Sequence, residues 1–137
     1  MSEIPGLART VCLVLRSLGY LNAYNFPVSP RVCCEPVVVS CGSWERESLQ
    51  ADGRERGRRP LEVCVCCDDA GDAETTAAAI SCDLSSFGWA ALPSSLLPAA
   101  RRVVACDAAQ PEPAGRDTTG HWLWKVPLTL TVVIGHD

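Results

Sequence analysis

The chain is poor in every cation except arginine. It has one lysine, Lys125, and two histidines, His121 and the penultimate His136. So few imidazoles leave a thin inventory for general acid–base chemistry. A Cys–His pair stays open, because its partners can be distant in sequence. The plainer reading of His121, at a strand entrance beside Trp122, is a partly exposed polar residue. No apolar stretch has the length of a membrane-crossing helix, so no membrane partner is expected. The first residues carry an acid at Glu3, no basic run, and an apolar segment cut short at Arg16. That is not the pattern of a secretory signal, which points to the cytoplasm and to reduced thiols. The formal net charge is −4, without the basic field that nucleic-acid binders carry. No phosphate-cradling glycine motif and no G-x-S-x-G elbow occurs.

Cysteine is abundant, at nine residues. The adjacent pairs Cys33-Cys34 and Cys66-Cys67 suit neither a common zinc site nor an easy disulfide. Cys64 and Cys66 alternate with Val63 and Val65, which reads as cysteine used as a small buried hydrophobe. The acids Asp68, Asp69, Asp72 and Glu74 lack the order of a calcium loop and read as a helix start. The sequence therefore assigns no catalytic residue, no cofactor and no metal ligand.

What is present is a long strand. From His121 to Ile134 every even position is large and apolar, with Lys125, Thr129 and Thr131 between them. Strict period two predicts one buried face. Residues 3–18 carry Ile4, Leu7, Val11, Val14, Leu15 and Leu18 at helical spacing, with Ser2 as N-cap and Gly19 as the terminating residue. A turn-rich connector covers 20–30. A strand is expected over 31–41, with Pro36 either marking an edge or starting the strand after it. Residues 44–50 continue as strand, 51–60 form a charged loop around Asp52-Gly53, and 61–67 return with Leu61, Val63, Val65 and Cys67 on one face. A second helix is expected over 73–87, capped by Asp72 and stopped by Gly88. An irregular stretch over 89–101, a short strand over 102–106 and a polar loop over 107–120 precede the last strand. This order predicts a single α+β domain over 1–137, with a mostly antiparallel four- to five-stranded sheet and two helices packed on one face.

Two features are left over. Arg54, Arg56, Arg58 and Arg59 fall at the predicted hairpin tip, diluted by Asp52, Glu55 and Glu62. A solvated tip is the first reading, contact with a protein neighbour the next, and nucleic acid the third, with no sequence-specific readout expected. Trp44, Trp89, Trp122 and Trp124 are much aromatic mass for a small core, and an edge tryptophan at an interface is the alternative to burial.

The hairpin G-S-W-E-R-E-S-L-Q-A-D-G-R-E-R-G-R-R-P-L-E-V-C-V at 42–65, the acidic start and alanine-rich body of the helix at 72–87, and the closing stretch at 115–134 together resemble the tail terminator (tail completion) proteins of long-tailed bacteriophages. The resemblance covers most of the chain as a pattern, without one diagnostic residue. It implies a structural protein of the virion tail or neck, assembled in the host cytoplasm, and no enzyme. Such proteins form a ring, usually a hexamer, that caps the tail tube. The implied partners are further copies of the chain, the tail tube protein, and a head-completion or connector protein. Arg54, Arg56, Arg58, Arg59 and Trp44 are then the candidate interface residues. A head–tail connector of the neck and a small thiol- or metal-dependent enzyme are the alternatives.

Overall fold

A computed structural model describes residues 4–26, 35–41, 45–49, 55–92, 97, 101–118 and 120–134. Helix α1 spans Ile4–Ser17. Its stripe of Leu7, Val11, Val14 and Leu15 is buried, and Arg9 and Arg16 face solvent. The helix stops at Gly19, whose φ of 108° few side chains tolerate. Tyr20 N–H donates to Leu15 O at 3.0 Å and Gly19 N–H to Arg16 O at 3.1 Å, the two bonds of a Schellman cap. Leu18, expected on the stripe, lies beyond the last turn and is exposed. The expected cap Ser2 lies outside the described residues.

The connector contains a two-residue strand, β1 (Ala23–Tyr24), which pairs in parallel with β2 (Val37–Cys41). β2 begins directly after Pro36, and β3 (Glu45–Leu49) follows. β4 runs Glu55–Cys67. It starts six residues before the expected Leu61, because its partner dictates its length. β7 (Trp122–Ile134) pairs with it residue by residue, from Glu55 opposite Ile134 to Cys67 opposite Trp122. A backbone ladder does not require apolar side chains, so the arginine-rich half of β4 is carried into the sheet by the apolar strand beside it.

Helix α2 spans Ala70–Ser86 and buries Ala73, Ala77, Ile80 and Leu84. Its N-cap is Asp69 rather than Asp72. Asp69 is extended, and its Oδ1 accepts from Gly71 N–H at 2.7 Å and Asp72 N–H at 3.1 Å. Asp72 instead sits in the first turn, where the helix dipole favours an acid. A short 3-10 turn, Trp89–Ala91, follows. Trp89 is buried, donates from its indole N–H to Leu84 O at 2.8 Å, and meets Phe87 edge-on at 5.1 Å.

The chain closes with β5 (Arg101–Ala108), β6 (Glu112–Arg116) and β7. β6 lies inside the stretch expected to be loop. Its sequence E-P-A-G-R has no apolar alternation because both its faces are largely exposed. All the strands among the described residues form one seven-stranded sheet, wider than expected. β4 and β7 are its centre. β2 and β3 share the far side of β4, β5 and β6 share the far side of β7, and β1 lies beyond β2. Every pairing except β1–β2 is antiparallel, so the fold is α+β. Both helices cover one face. There Val37, Val39, Leu61, Val63, Val65, Val126, Leu128, Leu130 and Val132 meet the helix stripes in one core.

Two prolines sit in the central strands, where a missing N–H ordinarily breaks the ladder. Pro127 turns its carbonyl toward Ala109 N–H at 2.8 Å, so its ring nitrogen points to the same side. That side is the gap between β6, which pairs with 122–125, and β5, which pairs with 128–134. Antiparallel alternation then turns the nitrogen of Pro60, opposite Thr129, away from β7. It faces the side on which β2 and β3 pair, between the Leu61–Cys41 and Arg58–Glu45 partners. Pro127 thus lies where its flank passes from β6 to β5, and since neither proline nitrogen faces the other central strand, the β4–β7 ladder loses no hydrogen bond.

Candidate functional site

The arginine segment does not form a single outward tip. Period two along β4 gives Gly57, Arg59, Leu61, Val63 and Val65 one face, and that face carries the core. Arg59 is therefore 2% exposed, opposite Leu130, and is not a surface residue of the folded chain. Starting the strand at Leu61 hid this; extending the same parity back by two residues finds it. Arg58 faces the other way and is exposed, opposite Thr131 and Glu45. Arg56 takes a strand position opposite Val133 and Ser48. Arg54 and Trp44 lie outside the described residues.

Both helices occupy the core face, and among the described residues no element covers the other face. That open face is polar along its middle. Glu62 and Lys125 approach to 3.7 Å there, with Thr129 and Thr131 half-buried beside them. A different surface, which the sequence reading passed over as connector, carries exposed apolar side chains. Leu21 is 76% and Phe26 56% exposed. Phe26 leans on Tyr24 at 5.8 Å, and the Arg16 guanidinium lies 5.3 Å from the Tyr24 ring centre. These residues carry no periodicity, so only their exposure in the fold distinguishes them.

At the other end of the sheet the fold gathers side chains far apart in sequence. Cys66 is the penultimate residue of β4, Asp68 lies just past the strand's end, Asp117 directly follows β6, and His121 leads into β7. The turn from β6 to β7 is closed by Asp117 N–H to His121 O at 3.0 Å and Gly120 N–H to Asp117 O at 3.1 Å, with Gly120 at φ 89°. Asp117 Oδ1 accepts His121 N–H at 2.9 Å. The Cys66 thiol points to Asp117 Oδ2 at 3.8 Å. His121 places Nδ1 3.8 Å from Asp117 Oδ1 and Nε2 2.7 Å from Asp68 Oδ1. The sequence expectation of no metal ligands overlooked this set because roughly fifty residues separate Cys66 from its neighbours. Arg116 frames the turn, donating to Gly120 O and lying 4.8 Å from the Trp122 ring centre.

Five of the described thiols are not poised as nucleophiles. Burial pushes Cys66 up to about 12, helped by the negative charge of Asp117 and the hydrogen bond to it. Burial likewise pushes Cys106 to about 12, with Asp107 adding to it. Cys12, Cys64 and Cys67 are raised as well, in each case chiefly by burial. A reactive cysteine needs the opposite shift. Six described cysteines, these five and Cys82, are free thiols.

No protein-family model and no curated protein matches the chain. Its fold is similar to that of a chain in a solved structure titled "Virion of native gene transfer agent (GTA) particle". The likeness has a TM-score of 0.58 at 20% identity and covers 88% of this chain and 84% of that one.

Proposed function

We propose that this protein is a structural component of a phage-like particle, acting as a tail terminator. Copies form a ring, a hexamer in this reading, that caps the tail tube and presents the surface joined by a head-completion or connector protein. The observation that carries the reading is the likeness to a virion chain over nearly the whole length of both proteins. The resemblance of the hairpin, the second helix and the closing strand to tail terminators points the same way. In this reading the protein sits in the tail or neck of a particle assembled in the host cytoplasm. A ring closed by head-to-tail contacts needs two different complementary surfaces on each subunit. The chain offers one apolar surface at Leu21 and Phe26 and one charged position, the exposed Arg58 of β4, while Arg54, Arg56 and Trp44 stay in the interface set on the sequence alone. Arg59 is left out of this interface set because it is buried within the subunit.

The role requires no catalysis. Burial that holds Cys66 and Cys106 protonated disfavours either as the nucleophile of the thiol-enzyme alternative. The test is electron microscopy and native mass measurement of the purified chain, alone and with tail tubes. Hexameric rings seated on tube ends support the reading. A dodecamer that binds portal rings and ignores tubes supports the neck-connector alternative, and a persistent monomer with no affinity for tubes refutes both.

A further inference from the structure

We propose that Cys66, Asp117 and His121 form a binding site for one zinc-class divalent ion, and that the ion fastens the β6–β7 turn to the end of β4. One sulfur, one imidazole nitrogen and one carboxylate oxygen from these residues lie within 4.8 Å of one another. A four-coordinate zinc ion holds such donors at about 2.0–2.3 Å, so the donors close around it by side-chain rotations of about 1 Å or less. The backbone that carries them is already fixed. Cys66 is locked in the β4–β7 ladder, and the turn is closed by the paired bonds between Asp117 and His121.

The donor types select the ion. Thiolate with imidazole suits zinc and cobalt, whereas magnesium and calcium prefer all-oxygen shells. Asp68 supplies the outer support that a metal-bound histidine generally has. Its carboxylate holds Nε2 at 2.7 Å and so turns Nδ1 toward Asp117 and the site. Cys66 is only 8% exposed and the His121 side chain 16%, which shields the ion on the protein side, and water completes its fourth position. As the sulfur–metal bond forms, the Cys66 S–H bond breaks and the proton passes to solvent; no electron is transferred. The site goes beyond the ring-forming role and does not depend on it. Its consequence is mechanical: the exposed edge strand β6 pairs with β7 at few positions, and the ion ties its end to the sheet centre.

The test uses the full chain, reduced and stripped by a chelator, then titrated with cobalt(II) and zinc(II). The expected result is one ion per chain, a thiolate-to-cobalt charge-transfer band in the near ultraviolet, and displacement of cobalt by zinc. At free zinc 100-fold above its Kd the melting temperature should rise by about 9 °C. Cys66→Ser should abolish the band, Asp117→Asn and His121→Ala should weaken binding at least about tenfold, and Cys106→Ser should change nothing. Because Cys66→Ser alters a buried position, Asp68→Asn at the exposed outer partner provides an independent reading, expected to weaken binding about 10–100-fold. Absence of the band in the wild-type chain overturns the proposal. So does a band that survives Cys66→Ser, or affinity untouched by Asp68→Asn, either of which means an adventitious ion only.

Discussion

Leu130→Ala tests the assignment of faces on which the rest of the fold depends. Leu130 is fully buried in the central strand β7, with Arg59 opposite it on β4 and Cys106 on β5. The substitution removes three carbons, worth about 2.4 kcal/mol at ~0.8 kcal/mol each. The cavity left behind adds to this, because neighbours in a paired ladder relax little, and about 3.5 kcal/mol is expected within a range of ~2–5. A 137-residue domain has an unfolding entropy near 290 cal/mol/K at roughly 2.1 per residue, so the melting temperature should fall by about 12 °C. The control is Thr129→Ala, one residue away on the open face, where a change of no more than about 0.5–1 kcal/mol is expected. Calorimetry or circular-dichroism melting of the two variants reads both. A fall of less than about 3 °C for Leu130→Ala, or an equal fall for Thr129→Ala, refutes the assigned parity of β7 and with it the register to β4.

Other consequences follow from individual residues. Arg58→Glu should leave the melting temperature within about 2 °C of wild type while weakening ring formation, whereas Arg59→Glu should lower stability by about 3–5 kcal/mol; the reverse order in a melting series would return Arg59 to the surface. Gly19→Ala should cost about 1–2 kcal/mol by denaturant titration, from backbone conformation alone, because a Cβ there meets nothing within 4 Å; an unchanged midpoint would show that the cap rearranges freely. In metal-free buffer the stability should fall as pH rises from about 9 toward about 12. The unfolded chain ionises its thiols near 9.0, while the folded chain holds Cys66 and Cys106 protonated to about 12, so the stabilisation is complete below the unfolded value and is lost through the folded one. Cys106→Ala should flatten part of that slope in melts run from pH 7 to 11, and an identical slope would show that Cys106 ionises alike in both states.

The elements legible in the sequence are those that bury a face. The alternation of β7 from Val126 to Val132 and the stripes of α1 and α2 are direct records of what touches the core. Elements held by the backbone leave no such record. β6 pairs at an edge with largely exposed side chains, and the first half of β4 is strand because β7 runs beside it. The same limit applies to the sites. The arginines were visible as composition, but their two faces depend on where the strand begins. The Cys66–Asp117–His121 group could not be seen at all, since only the pairing of β4 with β7 brings position 66 to position 121.

The interruption opposite Pro127 bears on how the subunit survives before it is assembled. A flanking strand that ran the full length of β4 or β7 would present a long unbroken row of hydrogen-bonding groups to other chains. Such rows template the stacking of strands between molecules and lead to aggregation. Here the flank of β7 divides opposite Pro127, leaving eight residues in β5 and five in β6. An incoming strand finds two short platforms in place of one long one. Newly made copies can accumulate at high local concentration and still meet through their side-chain surfaces rather than through uncontrolled sheet extension.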